Sequence, residues 1–511
     1  MKNNRFNIIL LGLALSLGAC TDLDIEETDS RIANQTGEFT GVADVEGALT
    51  SVYNSVRGQM ENQANLYALN EVSSDEFVVP TRGTDWGDNG LWRTLHQHTW
   101  SAIHPHVRDT WNEQNQNVFN TTEIIDSRSQ ASPSQEAEAR FLRALSMFWV
   151  MDLYGQVPFR EVDEGIDIDP RVLSRQEAFD FIENDLLTAL SDLPNPSPGD
   201  SELNFASQAA ANHLLAKLYL NKHIYYGSES PSSADMQLVI DNVNALEDKG
   251  FGLVEGYFDI FAPALDNETI FFTTSSVGNV IWHGLHYNQN APDNTGGGWN
   301  GFTTLAEFYD SFEGDPNTNF VGDGQEERRG FVPDETTAND VNFGIGYGFL
   351  VGQQYDDDGS KLKTRQNTDL MFSKNLPGLV GNGEDTGIRV IKYHPTNGSF
   401  ANHKIVFRFS DAYLMKAEAM MRMGDDATGM VNELRALRKA SPLSSVTEED
   451  LLAERGRELY GEYWRRNDLI RFGTFSDTWG FKDNTENFRV LFPIPSSAII
   501  SNPNLTQNEG Y

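Results

Sequence analysis

Residues 137–159 read AEARFLRALSMFWVMDLYGQVPF. Apolar side chains return every three or four positions: Ala137, Phe141, Ala144, Leu145, Phe148, Trp149 and Leu153 share one broad face of a predicted helix. Glu136 and Glu138 place acid in the first turn, next to a predicted cap at Ser134. Gly155 provides a stop, and Pro158 prevents the helix from continuing.

The same periodicity occurs on both sides of this stretch. Helices are predicted over 42–60, in RDTWNEQNQNVFNTTEIIDS (108–127), and over 175–192 and 207–225. In QAAANHLLAKLYLNKHIYYG small and large residues alternate at helical spacing, which resembles tetratricopeptide helix pairs, although no 34-residue repeat is present. Helical patterns return after residue 408 in RFSDAYLMKAEAMMRMG, ATGMVNELRALRKAS and TEEDLLAERGRELYGEYWRRNDLIRFG. Between them, residues 226–405 have short helical runs, frequent Gly and Asn, and brief apolar alternations such as ETIFFTTSS and TGIRVIKYH. That region reads as a less regular lobe with a few strands and long loops. The last twenty residues, FPIPSSAIISNPNLTQNEGY, contain three prolines and are predicted non-helical.

The chain begins MKNNRFNIILLGLALSLGAC. Lys2 and Arg5, a short apolar run and a small-residue exit give the layout of a secretory signal. Leu-Gly-Ala-Cys resembles a bacterial lipobox, which implies cleavage before Cys20 and acylation of that cysteine. Cys20 is the single cysteine, so a disulfide framework is excluded. Stable anchoring through it requires two or more acyl chains, each buried CH₂ contributing about 0.8 kcal/mol. The stretch TDLDIEETDSR that follows is acidic and reads as a tether.

The formal net charge of −37 excludes nucleic acid, which is bound by cationic neutralisation of phosphates, and disfavours long polyanions. A neutral ligand suits such a chain, and acidity also serves solubility. No thiolate zinc cluster is open to a chain with one cysteine. YDDDGS (355–360) has calcium-ligand chemistry but lacks the glutamate that closes an EF-hand loop, and is read as a solvated turn. GIGYG (344–348) has no strand-to-helix context for a dinucleotide loop. The histidines of HQH and HPH (96–98 and 104–106) form no zincin pattern.

Four ordered blocks, AEARFLRALSMFWVMDLYGQVPF, FRFSDAYLMKAEAMMRMG, AERGRELYGEYWRRNDLIRFG and FPIPSSAIISNPNLTQNEGY, resemble the signatures of the SusD/RagB family of surface glycan-binding lipoproteins. The resemblance covers both ends of the chain and leaves the middle lobe unmatched. It implies a mainly α fold: tetratricopeptide-like helix pairs as a scaffold for an irregular, loop-rich lobe with a few short strands. The expected organisation is a signal at 1–19, a tether at 20–40, a helical scaffold at 41–225 with a ligand-facing loop at 78–100, the ligand-facing lobe at 226–405, and a helical signature segment at 406–511. Asp22 and Asp24 resemble a surface-export signal of Bacteroidetes lipoproteins. The resemblance further implies an outward-facing, lipid-anchored outer-membrane protein that binds a poly- or oligosaccharide without catalysis and passes it to a SusC-like TonB-dependent transporter, and no cofactor or metal site is read from the residues.

Two stretches carry the expected site. In TRGTDWGDNGLW, Trp86 sits among Gly and polar residues, where no helix or strand core would place it. An indole offers a flat face to the C–H face of a sugar, and amides and carboxylates grip hydroxyls. Trp86 with Asn89 resembles a pair in the starch-binding member of the family, and Asp85 joins them. In VIWHGLHYNQNAPDNTGGGWNGF, Trp282, Tyr287 and Trp299 are the expected stacking residues, among His283, Asn288 and Asn290. Trp299 precedes a predicted helix in TTLAEFYDSFE, so it serves either the platform or that helix's cap. Trp92, Trp100, Trp149 and Trp464 are expected in the core. Arg140, Arg143, Glu418, Glu454, Arg457, Glu458, Arg465 and Asp468 are expected to form buried or half-buried ion pairs between helices rather than a catalytic nest. Two alternatives remain open. One is a glycoside hydrolase, which needs two carboxylates about 5–10 Å apart and has too many acids here to argue from. The other is a peptide-binding RagB-like uptake protein.

Overall fold

The computed structural model describes residues 39–511 apart from 166, 275–277, 290–296, 341 and 394–402. The signal, Cys20, Asp22, Asp24 and nearly all of the tether lie outside the described residues, as does Asn290.

The opening stretch forms helix Pro133–Tyr154, buried on nearly all sides along its second half. Its cap is Ser132 rather than Ser134. Ser132 Oγ accepts from the Gln135 backbone N–H, and the Gln135 side chain accepts from the Ser132 N–H, a capping box that starts the helix at Pro133. Gly155 ends it in the left-handed conformation. The helix packs between Pro105–Ile125 and Arg175–Ala189. A second stack joins Gln208–Leu220, Ser233–Lys249 and Phe409–Arg422. Thus sequence neighbours pair, and the C-terminal segment closes onto the N-terminal one. Trp149 and Trp464 stack with centroids 5.1 Å apart and planes 16° apart, both sealed in the core. Trp92 and Trp100 are also buried.

The expected ion pairs form a net through the interior. Glu458 accepts from Arg408 (2.8 Å), Arg438 (3.0 Å) and Arg328 (3.3 Å), and Arg328 also reaches Glu454 (2.7 Å). Asp411 takes Lys217 (2.8 Å) and Arg455 (2.7 Å), and Arg455 continues to Asp468 (2.8 Å). Arg471 binds both Glu418 and Asp468 at 2.7 Å. Asp185 joins Arg140 and Arg143, and Arg465 pairs with Asp75. Pairing this dense offsets desolvation that would make any lone buried charge very costly. The three arginines around it hold the Glu458 carboxyl well below its ordinary value against the effect of burial. Two buried carboxyls have weaker help: Arg465 comes no nearer than 4.0 Å to Glu76, and Lys404 and Lys392 do not outweigh burial at Glu71. Burial pushes Glu71 up to about 7, and burial with the neighbouring Glu71 charge pushes Glu76 well above the ordinary value.

The lobe at 226–405 contributes small antiparallel pairings. Thr269–Thr273 pairs with Lys404–Arg408, and Tyr347–Leu350 lies between Arg389–Ile391 and Gly330–Phe331. The GIGYG run therefore leads into a strand. Asp356, Asp357 and Asp358 form an exposed turn closed by Asp358 on the Ser360 N–H. Phe77–Val78 pairs with Thr303–Thr304, tying the early loop to the middle lobe. The C-terminal prolines bound a short helix, Ser496–Ser501, rather than forbid it: Pro495 is its cap and Pro503 lies beyond its end.

Candidate functional site

The early loop is held by its own start. Arg82 and Asp85 exchange both backbone N–H···O bonds (3.0 and 2.9 Å), folding Gly83 and Thr84 into a tight turn. The buried Arg82 guanidinium donates through Nη1 to the carbonyls of Gly383 (3.0 Å) and Thr386 (2.6 Å). Beyond the turn, Trp86, Asp88, Asn89 and Gly90 all have positive φ, at 57°, 36°, 52° and 87°. Three of these are not glycine, and such backbone persists only where the surroundings over-determine it. Here Trp92 Nε1 donates to Asp88 (2.7 Å), and Arg93 hydrogen-bonds Thr81.

Trp86 is half-buried. Its Nε1–H donates to the carbonyl of Trp299 at 2.7 Å, across 213 residues. Its ring meets Trp92 (5.5 Å) and Phe302 (5.7 Å) edge-on. Below it lies Gly301, where an added Cβ would fall 2.2 Å from the indole, so only glycine allows the ring to lie there. The Trp299 side chain is 37% exposed, while its N–H donates to the Trp282 carbonyl (2.7 Å). The predicted cap role for Trp299 is not seen: the helix is Ala306–Asp310, with Leu305 at its N-cap.

Tyr287 completes the group. Its hydroxyl donates to Asp85 Oδ2 at 2.5 Å, and the Arg365 guanidinium lies 3.8 Å from its ring centroid. Arg365 also reaches Asp85 (3.5 Å) and donates to Glu384 (2.8 Å). Burial, then Asp85, pushes the Tyr287 hydroxyl up to about 12. Burial pushes His286 below its ordinary value, to about 3, with Arg389, Arg365 and Arg82 adding to the shift. Both side chains therefore keep one charge state across neutral pH. Asn89 is exposed on the loop, three residues beyond Trp86.

Trp86, Asp85, Tyr287 and Trp299 are thus connected in one cluster. Trp282 is not part of its surface. It ends helix Gly278–Trp282 and is only 7% exposed, because the segment folds inward and offers Trp299 a backbone carbonyl instead of a ring. His283 is also buried, against Phe302, with ring centroids 4.0 Å apart. Asn288 turns to the carbonyl of Lys363 (2.6 Å). Nothing in the local sequence pattern points to Arg365, Glu384, Arg82 or Gly301. Their roles exist only because 365–386 folds against 81–86; a polar segment such as KTRQNTD carries no signal of this.

The arrangement presents aromatic surface beside a carboxylate and a guanidinium, with an exposed amide on the same loop, side-chain types that offer both apolar faces and hydrogen-bonding groups. Among the described residues no group of three or more His, Cys, Asp and Glu could hold a metal ion.

Residues 267–511 match the model of the SusD family, and residues 23–220 match a model described as starch-binding, associating with the outer membrane. The chain belongs to the SusD/RagB family. It is 26% identical to the starch-binding protein SusD of Bacteroides thetaiotaomicron, over 96% of this chain and 95% of that protein. In fold it resembles a SusD-like protein of Bacteroides fragilis, with TM-score 0.69, 20% identity and coverage of 94% and 99%. A laminarin-binding SusD-like protein gives TM-score 0.65, 20% identity and coverage of 93% and 100%. SusD proteins are glycan-binding, outer-membrane-associated proteins rather than enzymes. Among the described residues no helix is long and apolar enough to cross a membrane.

Proposed function

We propose that this SusD-family protein captures an uncharged oligosaccharide of glucan type on Trp86, Tyr287 and Trp299, with Asp85 and Asn89 gripping hydroxyls. It then delivers the glycan to a SusC-like TonB-dependent transporter, while lipid on Cys20 holds it to the outer membrane, facing the exterior. The observation that carries the reading is the 2.7 Å bond from Trp86 Nε1 to the Trp299 carbonyl. It ties the half-buried Trp86 ring to the backbone of Trp299, whose own side chain is 37% exposed, so that a flat ligand could use the two indoles together. Charge balance at Arg365, which Asp85 and Glu384 match, supports neutrality, and of the loop's other arginines Arg82 is spent on buried carbonyls and Arg93 on Thr81.

Affinity electrophoresis in gels containing starch, laminarin or another glucan tests it. The wild type is retarded, and Trp86→Ala and Trp299→Ala run free. Unchanged mobility of both variants on a retarding glucan removes the platform. New reducing ends after incubation with the same glycans would establish the hydrolase alternative. Capture of peptides in place of glycans would establish the RagB-like one.

A further inference from the structure

The ladder between Phe77–Val78 and Thr303–Thr304 has two ends. The platform loop and Gly301 leave from one. Asp75 and Glu307 leave from the other, and there they line a separate cavity of ≈ 370 Å³. Its apolar surface comes from Phe308, Leu452 and Leu469, and one wall is Trp479. Glu449 and Asp477 stand at the rim, both exposed. The volume falls in the range of small-ligand sites.

Trp479 is built into a tight turn. It exchanges backbone hydrogen bonds with Lys482 (3.2 and 2.9 Å), and Gly480 N–H donates to Glu307 (2.6 Å). At the tip, Phe481 is held at φ +66° and is 37% exposed, an uncommon conformation for an aromatic residue and an uneconomical one for a turn with no role. The indole Nε1–H of Trp479 is buried and has no acceptor among the described residues. Buried indole donors normally find one.

We infer that this cavity is a second saccharide-binding site, separate from the Trp86–Trp299 platform, with Trp479 as its stacking wall. The chemistry narrows the ligand. Arg465 also lines the cavity but is taken up by Asp75 (2.7 Å) and the Leu452 carbonyl (2.8 Å), and the acidic residues at the rim repel anions. The buried Lys482 ammonium lies 4.1 Å from the Trp479 ring centroid and covers one face of the indole, which leaves the opposite face for a ligand. An uncharged ring with one C–H face and a hydroxyl edge fits an indole, an apolar floor and carboxylate acceptors together. The ligand class rests on the glycan-binding reading; the location does not.

The test is saturation-transfer NMR on the full chain with maltoheptaose, laminarihexaose, cellohexaose, mannohexaose and xylohexaose. In a Trp86→Ala/Trp299→Ala background, at least one of these still shows transfer. Adding Trp479→Ala lowers that residual signal at least threefold, whereas Trp479→Phe retains most of it. Circular dichroism of each variant checks that the fold persists. Loss of all transfer in the platform double variant overturns the second site and leaves the platform reading intact. So does residual transfer indifferent to Trp479→Ala, or the absence of any Trp479-dependent signal across the panel. Conversely, full wild-type affinity in the double variant, abolished by Trp479→Ala, overturns the platform and upholds this site.

Discussion

Two regions of this molecule use arginine and tryptophan in opposite ways. In the helical frame, Trp149 and Trp464 stack face to face out of reach of solvent, and Arg408, Arg438 and Arg328 converge on a buried Glu458. In the loop cluster, Trp86 and Trp299 are joined through a backbone carbonyl, and Arg365 is half exposed above Tyr287. The frame turns its charged groups onto one another, with a few buried atoms such as Arg328 Nε and Arg455 Nη1 left over; the loops leave aromatic surface and polar edges toward water. Residue type therefore does not separate structure from recognition. The backbone that carries the residue does: regular helices point side chains at neighbouring helices, while left-handed turns and a glycine floor hold an indole at the surface.

The strongest way to break the contrast is in the frame. Glu458→Ala takes the shared carboxylate from three buried guanidinium groups, leaving Arg408 with Glu268 and Glu462, Arg438 with Glu268 and Arg328 with Glu326 and Glu454, and should cost about 3 kcal/mol of unfolding free energy, the lower end for a broken buried pair. Denaturant titration reads the loss, and Trp299→Ala under the same conditions should stay within about 0.5 kcal/mol of wild type, as an exposed change does.

The pH dependence of stability comes next. Glu71 is raised in the folded state, so the folded protein binds more protons than the unfolded chain from the ordinary glutamate value near 4.5 up to about 7. The Glu71 contribution to stability must fall as pH rises through that window, with a slope of at most about 1.4 kcal/mol per pH unit. Glu418 and Glu454 are lowered to about 2 by their arginines, against the effect of burial, so their contribution disappears as pH falls from 4.5 toward 2. Histidines that burial holds below their ordinary value, His106, His223 and His403 at about 4 and His283 and His286 at about 3, act in the opposite sense, adding stability as pH rises toward 6.5, so the Glu71 contribution is read as a difference between variant and wild type. Glu71→Gln, which keeps an acceptor for the Tyr463 N–H, should gain stability relative to wild type as pH rises from 4.5 to 7; a pH-independent difference would contradict the assignment.

Gly301→Ala sharpens the platform side. A methyl group under the indole must displace Trp86, and glucan affinity should fall at least tenfold, about 1.4 kcal/mol, by titration calorimetry. The smallest change is Tyr287→Phe, which removes one hydrogen bond to Asp85, worth about 1 kcal/mol, and should weaken binding severalfold. In the wild type, affinity should be flat from pH 5 to 8, since Tyr287 titrates at about 12 and His286 at about 3. A bell-shaped profile there would place a further titrating group at the site.

The sequence by itself determined the frame. Apolar spacing from Ala137 to Leu153, the stop at Gly155 and the expectation of paired rather than catalytic charges all hold in the structure, because helix formation and amphipathic burial depend on residues within a few turns of one another. Even so, the start at Ser132 depended on a reciprocal pair with Gln135, and the C-terminal prolines framed a helix instead of excluding one. Only the tertiary structure decided which loop aromatics face outward. Trp282 and Trp299 look alike in a polar, glycine-rich context, yet one turns into the core and the other lies beside Trp86. The reason is that a loop side chain takes its direction from distant partners, here a carbonyl 213 residues away and a glycine with room for a ring, and no local pattern encodes either.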